Sequence, residues 1–339
     1  MPKSHITVPF FIPFLGCPNR CVYCNQRRTA GREPLPDAQS VREKTLLFLS
    51  TINSSVQHRD IAFFGGTFTA LPLGYQIELL SSAAFFIQRG LVRGIRVSTR
   101  PDCISEDSIE FLKNYGVTTI ELGAQSFSDE VLALSGRGHD AGETRRAFGL
   151  VKSGGMDCVL QLMPGLPGDT TDLSLESARI AADMGPDGIR IYPAVVIRDT
   201  PLEVLYNEGA YVPLTLEQAV DISAEMHRIF ISRGIEVIKT GLHPLRAEER
   251  DAVVAGPYHP AFGFMVKSRI KRDILYKMIR DEIDRTGESP SECTVIIPEK
   301  EKEEYIGLKK ENLHFLKERF GFINLRFHIE NTHAIRIVV

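Results

Sequence analysis

Near its N-terminus the chain reads Gly16-Cys17-Pro18-Asn19-Arg20-Cys21-Val22-Tyr23-Cys24-Asn25-Gln26, directly after an apolar run at Val8–Leu15. Three of its six cysteines therefore lie close together, in the spacing C-x3-C-x2-C. A strand that ends in such a loop brings several thiolates to one centre, which suits a metal. A structural zinc site normally takes four protein ligands, so three thiolates favour an iron–sulfur cluster with one iron left open. The alternatives are a zinc site completed by a distant histidine or cysteine, and three buried structural cysteines.

Composition indicates an ordinary globular protein. The chain has 339 residues, of which 43% are apolar, enough for one large α/β domain with a small appendage or for two domains. A net charge of −3 and a pI of about 6.3 give no overall indication of nucleic-acid binding. The sequence contains neither a long apolar run nor a signal peptide, which predicts a cytoplasmic protein with no membrane partner. We therefore expect Cys103, Cys158 and Cys293 to be reduced core residues.

Working outward from the cysteine loop, short apolar strands alternate with helices. Strands are predicted at 60–64, 95–99, 119–123, 157–162, 188–192 and 235–238. Helices are predicted at 37–49 with Asp37 as cap, 74–89, 105–115, 128–134, 140–153, 172–184, 216–233 and 265–283. Repeated strand–helix units imply a parallel sheet, either a partial or complete barrel or an open doubly wound sheet. The unusual residues follow the strand ends, where both folds place their active sites, so periodicity alone leaves this choice open.

The cysteine spacing, with Tyr23 before the third cysteine and Asn25-Gln26 after it, resembles the signature of the radical S-adenosylmethionine (radical SAM) enzymes, in particular their Elp3-like branch. This resemblance covers roughly residues 6 to 245 and implies an α/β fold, a partial (β/α)6-type barrel. It implies that Cys17, Cys21 and Cys24 hold three irons of a [4Fe–4S] cluster, and that S-adenosylmethionine (SAM) binds the fourth. One electron, from a flavodoxin- or ferredoxin-type donor, would cleave SAM to a 5′-deoxyadenosyl radical that abstracts hydrogen from a substrate.

Four later stretches match the same branch in order. They are Gly65-Gly66-Thr67, Ser98–Asp102, Glu121–Ser126 and Gln161–Gly168, and Arg190–Pro193 with Val196–Leu202 continues the match. The resemblance implies that the backbone around Gly65, Gly66 and Thr67 binds the methionyl amino group of SAM. It makes Asp102, Gln125, Gln161 and Arg190 further candidates for cofactor binding. Asp102 has an alternative role as the cap of the following helix.

One candidate residue raises an energetic question. Glu121 lies within an apolar strand, where an unpaired carboxylate is costly. A bound ligand or a basic partner such as Arg190 would relieve that cost.

The C-terminal part differs in character. We predict a partial barrel over residues 1–245, a turn-rich and helical extension with a linker over 246–290, and a small α+β module over 291–339. Within this module, Tyr305–Leu313 is similar to the hinge of KH RNA-binding modules, but Lys310 replaces the second glycine of that pattern. A structural cap is the alternative to an RNA-binding module. We expect neither an acetyltransferase domain nor an N-terminal tRNA-binding extension, because few residues remain outside the barrel.

Three functions follow from these observations. The first is a radical SAM enzyme acting on a substrate such as RNA or tRNA. The second is a radical SAM enzyme acting on a small metabolite, similar to the coproporphyrinogen-oxidase group. The third is a non-catalytic iron–sulfur or zinc protein that binds RNA.

Overall fold

A computed structural model describes residues 5–29, 34–52, 58–287, 291–332 and 335–338. Within these residues the strands are β1 (His5–Ile12), β2 (His58–Gly65), β3 (Gly94–Thr99), β4 (Val117–Gln125), β5 (Asp157–Leu162), β6 (Gly188–Ile191), β7 (Val196–Ile197), β8 (Val237–Thr240), β9 (Val253–Ala255), β10 (Glu292–Pro298), β11 (Asn324–Glu330) and β12 (Arg336–Val338). The helices are α1 (Gln26–Thr29), α2 (Ala38–Thr51), α3 (Leu73–Gln88), α4 (Glu106–Asn114), α5 (Asp129–Leu134), α6 (Ala141–Ser153), α7 (Thr171–Met184), α8 (Pro201–Asn207), α9 (Leu216–Ser232), α10 (Phe262–Thr286), α11 (Lys302–Ile306) and α12 (Glu311–Phe320).

The main sheet has seven strands in the order β1-β2-β3-β4-β5-β6-β8, and every neighbouring pair is parallel. The sheet curls without β8 returning to pair with β1, so it is a half-barrel, which confirms the predicted partial barrel. The first strand ends at Ile12, before the apolar run ends at Leu15. Pro13 has no N–H for the ladder, and Phe14 adopts a left-handed backbone with φ 58°.

Alternation along the strands separates two environments. Residues such as Ile95, Val97, Ile120 and Leu122 point outward and form the apolar core with the surrounding helices. Their neighbours point into the barrel and are mostly polar. They include Arg96, Ser98, Glu121, Gln161 and Arg190. The parallel strands therefore bring the polar residues of several β/α units to one interior.

Local capping supports the predicted helix starts. The Asp37 side chain accepts from the Ser40 backbone N–H at 2.7 Å, and the Ser40 hydroxyl oxygen accepts from the Asp37 backbone N–H. Asp37 therefore caps α2 as predicted.

The C-terminal residues form a second, three-stranded sheet in the order β11-β10-β12. Its core receives Leu275 and Ile279 from α10, together with Val295, Ile297 and Leu316. The first turns of α10 instead pack Phe262 and Val266 against α9. One helix therefore joins the half-barrel to the C-terminal module. Residues 288–290 of the predicted linker and residues 333, 334 and 339 of the predicted C-terminal module lie outside the described residues.

The hinge of the C-terminal module packs against the rest of the protein at its glycine. A Cβ at Gly307 would approach Ser268 Oγ of α10 to 3.0 Å. The buried Asn312 amide donates to Ser268 O at 3.1 Å and to Tyr305 O at 3.1 Å. Lys309 and Lys310 are exposed, with left-handed φ values of 51° and 63°. The glycine thus serves helix packing, while the lysines face solvent.

None of the helices in the described parts of the chain combines the length and the apolar character needed to span a membrane.

Candidate active site

The carboxyl ends of the barrel strands surround a cavity of about 730 Å³. Nine of the ten residues predicted from the sequence line it: Cys17, Cys21, Cys24, Gly65, Gly66, Thr67, Gln125, Gln161 and Arg190. Because all seven strands are parallel, residues separated by most of the barrel sequence meet at one edge.

The cysteine loop is held between two other segments. The Val22 backbone N–H donates to Ser135 O at 3.1 Å on one side, and the Leu202 N–H donates to Val22 O at 2.9 Å on the other. The Asn25 amide also donates to Arg198 O at 2.9 Å. These contacts fix the backbone of the loop from two directions.

The three thiols differ in their neighbours. Cys17 Sγ lies 3.2 Å from Thr67 Oγ1, and Cys21 Sγ accepts from Arg137 Nη1 at 3.1 Å. Burial raises the pKa of the Cys24 thiol to about 12, reinforced by Cys21 and Cys17. A metal that binds here must therefore displace the proton of the Cys24 thiol.

The donor set fits an iron–sulfur cluster. Within the described ranges, no set of three or more histidine, cysteine and carboxylate side chains is arranged to hold a single metal ion. A cubane cluster gives each thiolate its own iron, so the thiols need not converge on one ion. All three cysteines line one cavity that has room beside them for a second ligand. Cys17, Cys21 and Cys24 would hold such a cluster.

Close contacts between backbone segments require glycine at the end of β2. Gly66 N–H donates to Ile12 O at 2.7 Å, and Thr67 N–H donates to Leu15 O at 2.9 Å. A Cβ at Gly66 would lie 2.1 Å from Leu15 O. The loop after β2 therefore packs directly on the loop that carries the cysteines, and this contact leaves no space for a side chain.

This contact makes Gly66 a sensitive position. We expect Gly66→Ala to lower the free energy of unfolding by about 2–3 kcal/mol, because the added methyl group meets a backbone carbonyl that belongs to the cysteine loop. The variant should also take up less iron on reconstitution. Urea unfolding and iron analysis measure the two effects.

Gly74→Ala is the matched control. Gly74 lies in the first turn of α3, and a Cβ there meets nothing within 4 Å. We expect unchanged iron uptake and a gain in stability of up to about 1 kcal/mol, since alanine favours helix. Equal behaviour of the two variants would contradict the packing argument.

Asp102 does not line the cavity. Its carboxylate oxygens accept from Arg100 Nε and Nη2, both at 2.9 Å. The following helix α4 is capped by Ser105, whose hydroxyl accepts from the Ser108 N–H at 3.2 Å. The alternative role of Asp102 as the cap of this helix is therefore wrong, because the helix begins one turn later. Asp102 instead orients Arg100.

Gln125 and Gln161 form a pair inside the cavity. Gln161 Nε2 donates to Gln125 Oε1 at 3.2 Å. Gln125 is buried and has a left-handed backbone with φ 68°, which is uncommon for a residue with a side chain. Its carbonyl accepts from the Met163 N–H at 2.8 Å. The unusual backbone thus joins the ends of β4 and β5.

Glu121 lies between two arginines. Its Oε1 accepts from Arg96 Nη2 at 2.9 Å and from Arg190 Nη2 at 3.0 Å. The predicted basic partner Arg190 is therefore present, and Arg96 is a second partner that the sequence analysis missed. The period-two alternation of Ile95-Arg96-Val97 was the available signal, since it sends Arg96 to the barrel interior.

Arg137 is a further cavity residue that the sequence alone did not single out. It is 4% exposed and follows α5 in the segment Gly136-Arg137-Gly138-His139. Burial beside Arg137 lowers the pKa of His139 to about 4, so the His139 ring is neutral and its Nε2 accepts from Arg137 Nη2 at 3.0 Å. Two glycines flanking a lone arginine were the available signal, but they indicate a turn equally well.

Two family models match the chain. The model described as the radical SAM superfamily matches residues 11–178, and the model of the radical SAM C-terminal domain matches residues 186–272.

Curated relatives are similar over the barrel. The tRNA uridine(34) acetyltransferase of Dehalococcoides mccartyi is 26% identical over 233 residues, which are 59% of this chain and 50% of that protein. Elongator complex protein 3 of Saccharomyces cerevisiae is 28% identical over 198 residues, which are 52% of this chain and 36% of that protein. The chain thus spans half or less of the length of these relatives.

A solved structure shares the fold. The Elp3 of Methanocaldococcus infernus with an N-terminal deletion superposes with a TM-score of 0.63 at 21% sequence identity, covering 80% of this chain and 64% of the other. This similarity agrees with the half-barrel described above.

Proposed function

We propose that this chain, which belongs to the Elp3-like branch of the radical SAM superfamily, acts on RNA as its substrate. As a radical SAM enzyme it uses a [4Fe–4S] cluster and SAM, which together supply a 5′-deoxyadenosyl radical for hydrogen abstraction. The site assignment rests on one observation: the three cysteines and the Gly65-Gly66-Thr67 backbone line the same cavity.

The protein's own residues have separable tasks in this proposal. Cys17, Cys21 and Cys24 would hold the cluster, and the backbone at Gly65-Gly66-Thr67 would orient the amino group of SAM. Gln125 and Gln161 offer amide groups on the next two strands. Arg190 is fixed by Glu121 and by Tyr192, whose hydroxyl oxygen accepts at 3.0 Å. Asp102 would act only through Arg100, because it lies outside the cavity wall.

RNA as the substrate is supported by the charge of the cavity wall. Basic side chains line it at Lys44, at Lys239 and on the following loop at His243 and Arg246, whereas its acidic lining residues are Glu249 and the arginine-paired Glu121. Phosphate groups favour such a surface. One curated relative is named a tRNA uridine(34) acetyltransferase, which supports an RNA substrate. A flavodoxin- or ferredoxin-type electron donor and a cytoplasmic location complete the proposal.

Anaerobic reconstitution with iron and sulfide tests the enzymatic part. We expect the protein to form 5′-deoxyadenosine from SAM under strong reduction, and bulk tRNA to increase this yield several-fold. An RNA-independent yield that rises only with a small-metabolite extract would replace RNA by the metabolite alternative. A loaded cluster without SAM cleavage would contradict the enzyme itself.

A charge substitution tests where RNA binds. We expect Lys239→Gln combined with Arg246→Gln to weaken tRNA binding and to flatten its salt dependence by roughly 1–2 units, since each phosphate contact contributes about 0.7–0.9 to the slope. Filter binding at several salt concentrations measures both.

The matched control is Lys309→Gln combined with Lys310→Gln in the hinge of the C-terminal module. It removes the same charge from an exposed site that does not line the cavity. A larger loss of affinity in this control would move the RNA site from the cavity to the hinge.

A further inference from the structure

The guanidinium of Arg137 contacts one of the three cysteines, Cys21. Its Nη1 donates to Cys21 Sγ at 3.1 Å, and its Nη2 donates to Gly123 O at 2.5 Å at the end of β4. The side chain is almost fully buried, with 4% exposed. A cation therefore faces a cluster ligand from inside the protein.

Arg137 differs from its neighbour Arg100 in how its charge is balanced. Arg100 forms a two-pronged ion pair with Asp102, donates to Arg137 O, and reaches Cys21 Sγ only at 3.9 Å through Nη1. Arg137, in the described part of the chain, donates to Cys21, to the Gly123 carbonyl, to the Tyr23 hydroxyl and to the neutral His139 ring. A buried cation without a carboxylate is costly unless another negative group compensates it.

The backbone holds Arg137 against the cysteine loop. Gly136 and Gly138 have left-handed φ values of 64° and 70°, and a Cβ at Gly138 would lie 2.2 Å from Asn19 Nδ2. The Val22 N–H completes the contact by donating to Ser135 O at 3.1 Å. The segment 135–139 is therefore built to lie on the cysteine loop, and its arginine points at the thiol.

A cluster bound at the cysteines would supply the negative charge that balances Arg137. Three thiolates around a [4Fe–4S] core carry a net negative charge, and one-electron reduction adds another negative charge. A positive group close to a ligand sulfur stabilises the reduced form more than the oxidised form. Hydrogen bonds to ligand sulfurs and local charge both set the potential of such clusters.

We propose that Arg137 is a positioning residue that raises the reduction potential of the cluster by donating to Cys21 Sγ and by placing a buried positive charge beside it. The proposal rests on the proposed function, because it requires the cluster at Cys17, Cys21 and Cys24. Its effect is to ease the one-electron reduction that precedes SAM cleavage.

A redox titration of the reconstituted protein, without SAM or substrate, tests this. We expect the midpoint potential to shift to a more negative value in Arg137→Gln, which keeps a polar side chain but removes the charge. Arg137→Lys keeps the charge and should remain close to the parent. Arg179→Gln, which removes an exposed arginine paired with Glu176 on α7, should leave the potential unchanged.

Iron and sulfide content distinguish a failure of the proposed function from a failure of the proposed role of Arg137. If the parent protein binds no cluster, the proposed function fails. If the parent is loaded and a fully loaded Arg137→Gln keeps the parent's potential, only the role of Arg137 is overturned.

If Arg137→Gln binds no cluster, the cluster content and reduction potential of Arg137→Lys test the charge effect instead. A loaded lysine variant with a potential close to that of the parent supports the charge effect. Loss of the cluster in both variants overturns it and leaves Arg137 as a structural anchor of the loop.

Discussion

Replacing any one of Cys17, Cys21 and Cys24 with alanine is expected to abolish cluster binding and, with it, all formation of 5′-deoxyadenosine. Each thiolate would supply the only protein ligand of one iron. Because the fourth iron already lacks a protein ligand, removing one thiolate leaves two irons without one. The loop remains held by backbone hydrogen bonds to Ser135 and Leu202 and by the Asn25 side-chain amide on Arg198 O. The loss should therefore be one of metal rather than of fold. Iron and sulfide content, visible absorbance and circular dichroism measure it.

The other three cysteines are the controls. Cys158 and Cys293 are buried in β5 and β10, and burial raises the pKa of Cys103 and of Cys293 to about 11. Alanine at each of these positions should leave iron content unchanged and cost at most about 1–2 kcal/mol of stability. Full iron in any variant of the first three would refute the cluster assignment. Stoichiometric zinc in anaerobically purified parent protein would favour the zinc alternative.

The second large effect is expected from Glu121→Gln, which should lower the free energy of unfolding by about 3–5 kcal/mol. Glu121 is 5% exposed and is the shared partner of Arg96 and Arg190, with Arg190 Nε also 2.8 Å from Oε2. Removing its charge leaves the buried Arg96 with only the more distant Asp60, at 3.9 Å, and takes the carboxylate partner from the half-buried Arg190. Urea denaturation followed by circular dichroism measures the loss without the added screening of a salt denaturant.

Glu176→Gln provides the comparison on the surface. Glu176 pairs with Arg179 at 3.2 Å on α7, and both side chains are more than half exposed. Solvent screens such a pair, so we expect a change below about 1 kcal/mol. If Glu121→Gln falls within the same range, Glu121 does not compensate the two arginines.

The sequence by itself determined the strand–helix order and the place of the site. Local signals were sufficient because apolar periodicity and caps such as Asp37 depend on neighbours a few residues away. The cysteine spacing is likewise local, and the parallel arrangement sends every strand end to one edge. Nine of the ten predicted site residues therefore line the cavity.

Only the tertiary structure decided which side chains compensate one another. Arg96, Glu121 and Arg190 come from three different strands, and they meet only once β3, β4, β5 and β6 are paired in register. Arg137 faces Cys21 because two distant loops pack together. The local pattern also left Asp102 with two roles, and its pairing with Arg100 appeared only when the start of α4 was known. Sequence periodicity specifies which face a residue occupies, whereas contacts between elements depend on register and packing across the whole fold.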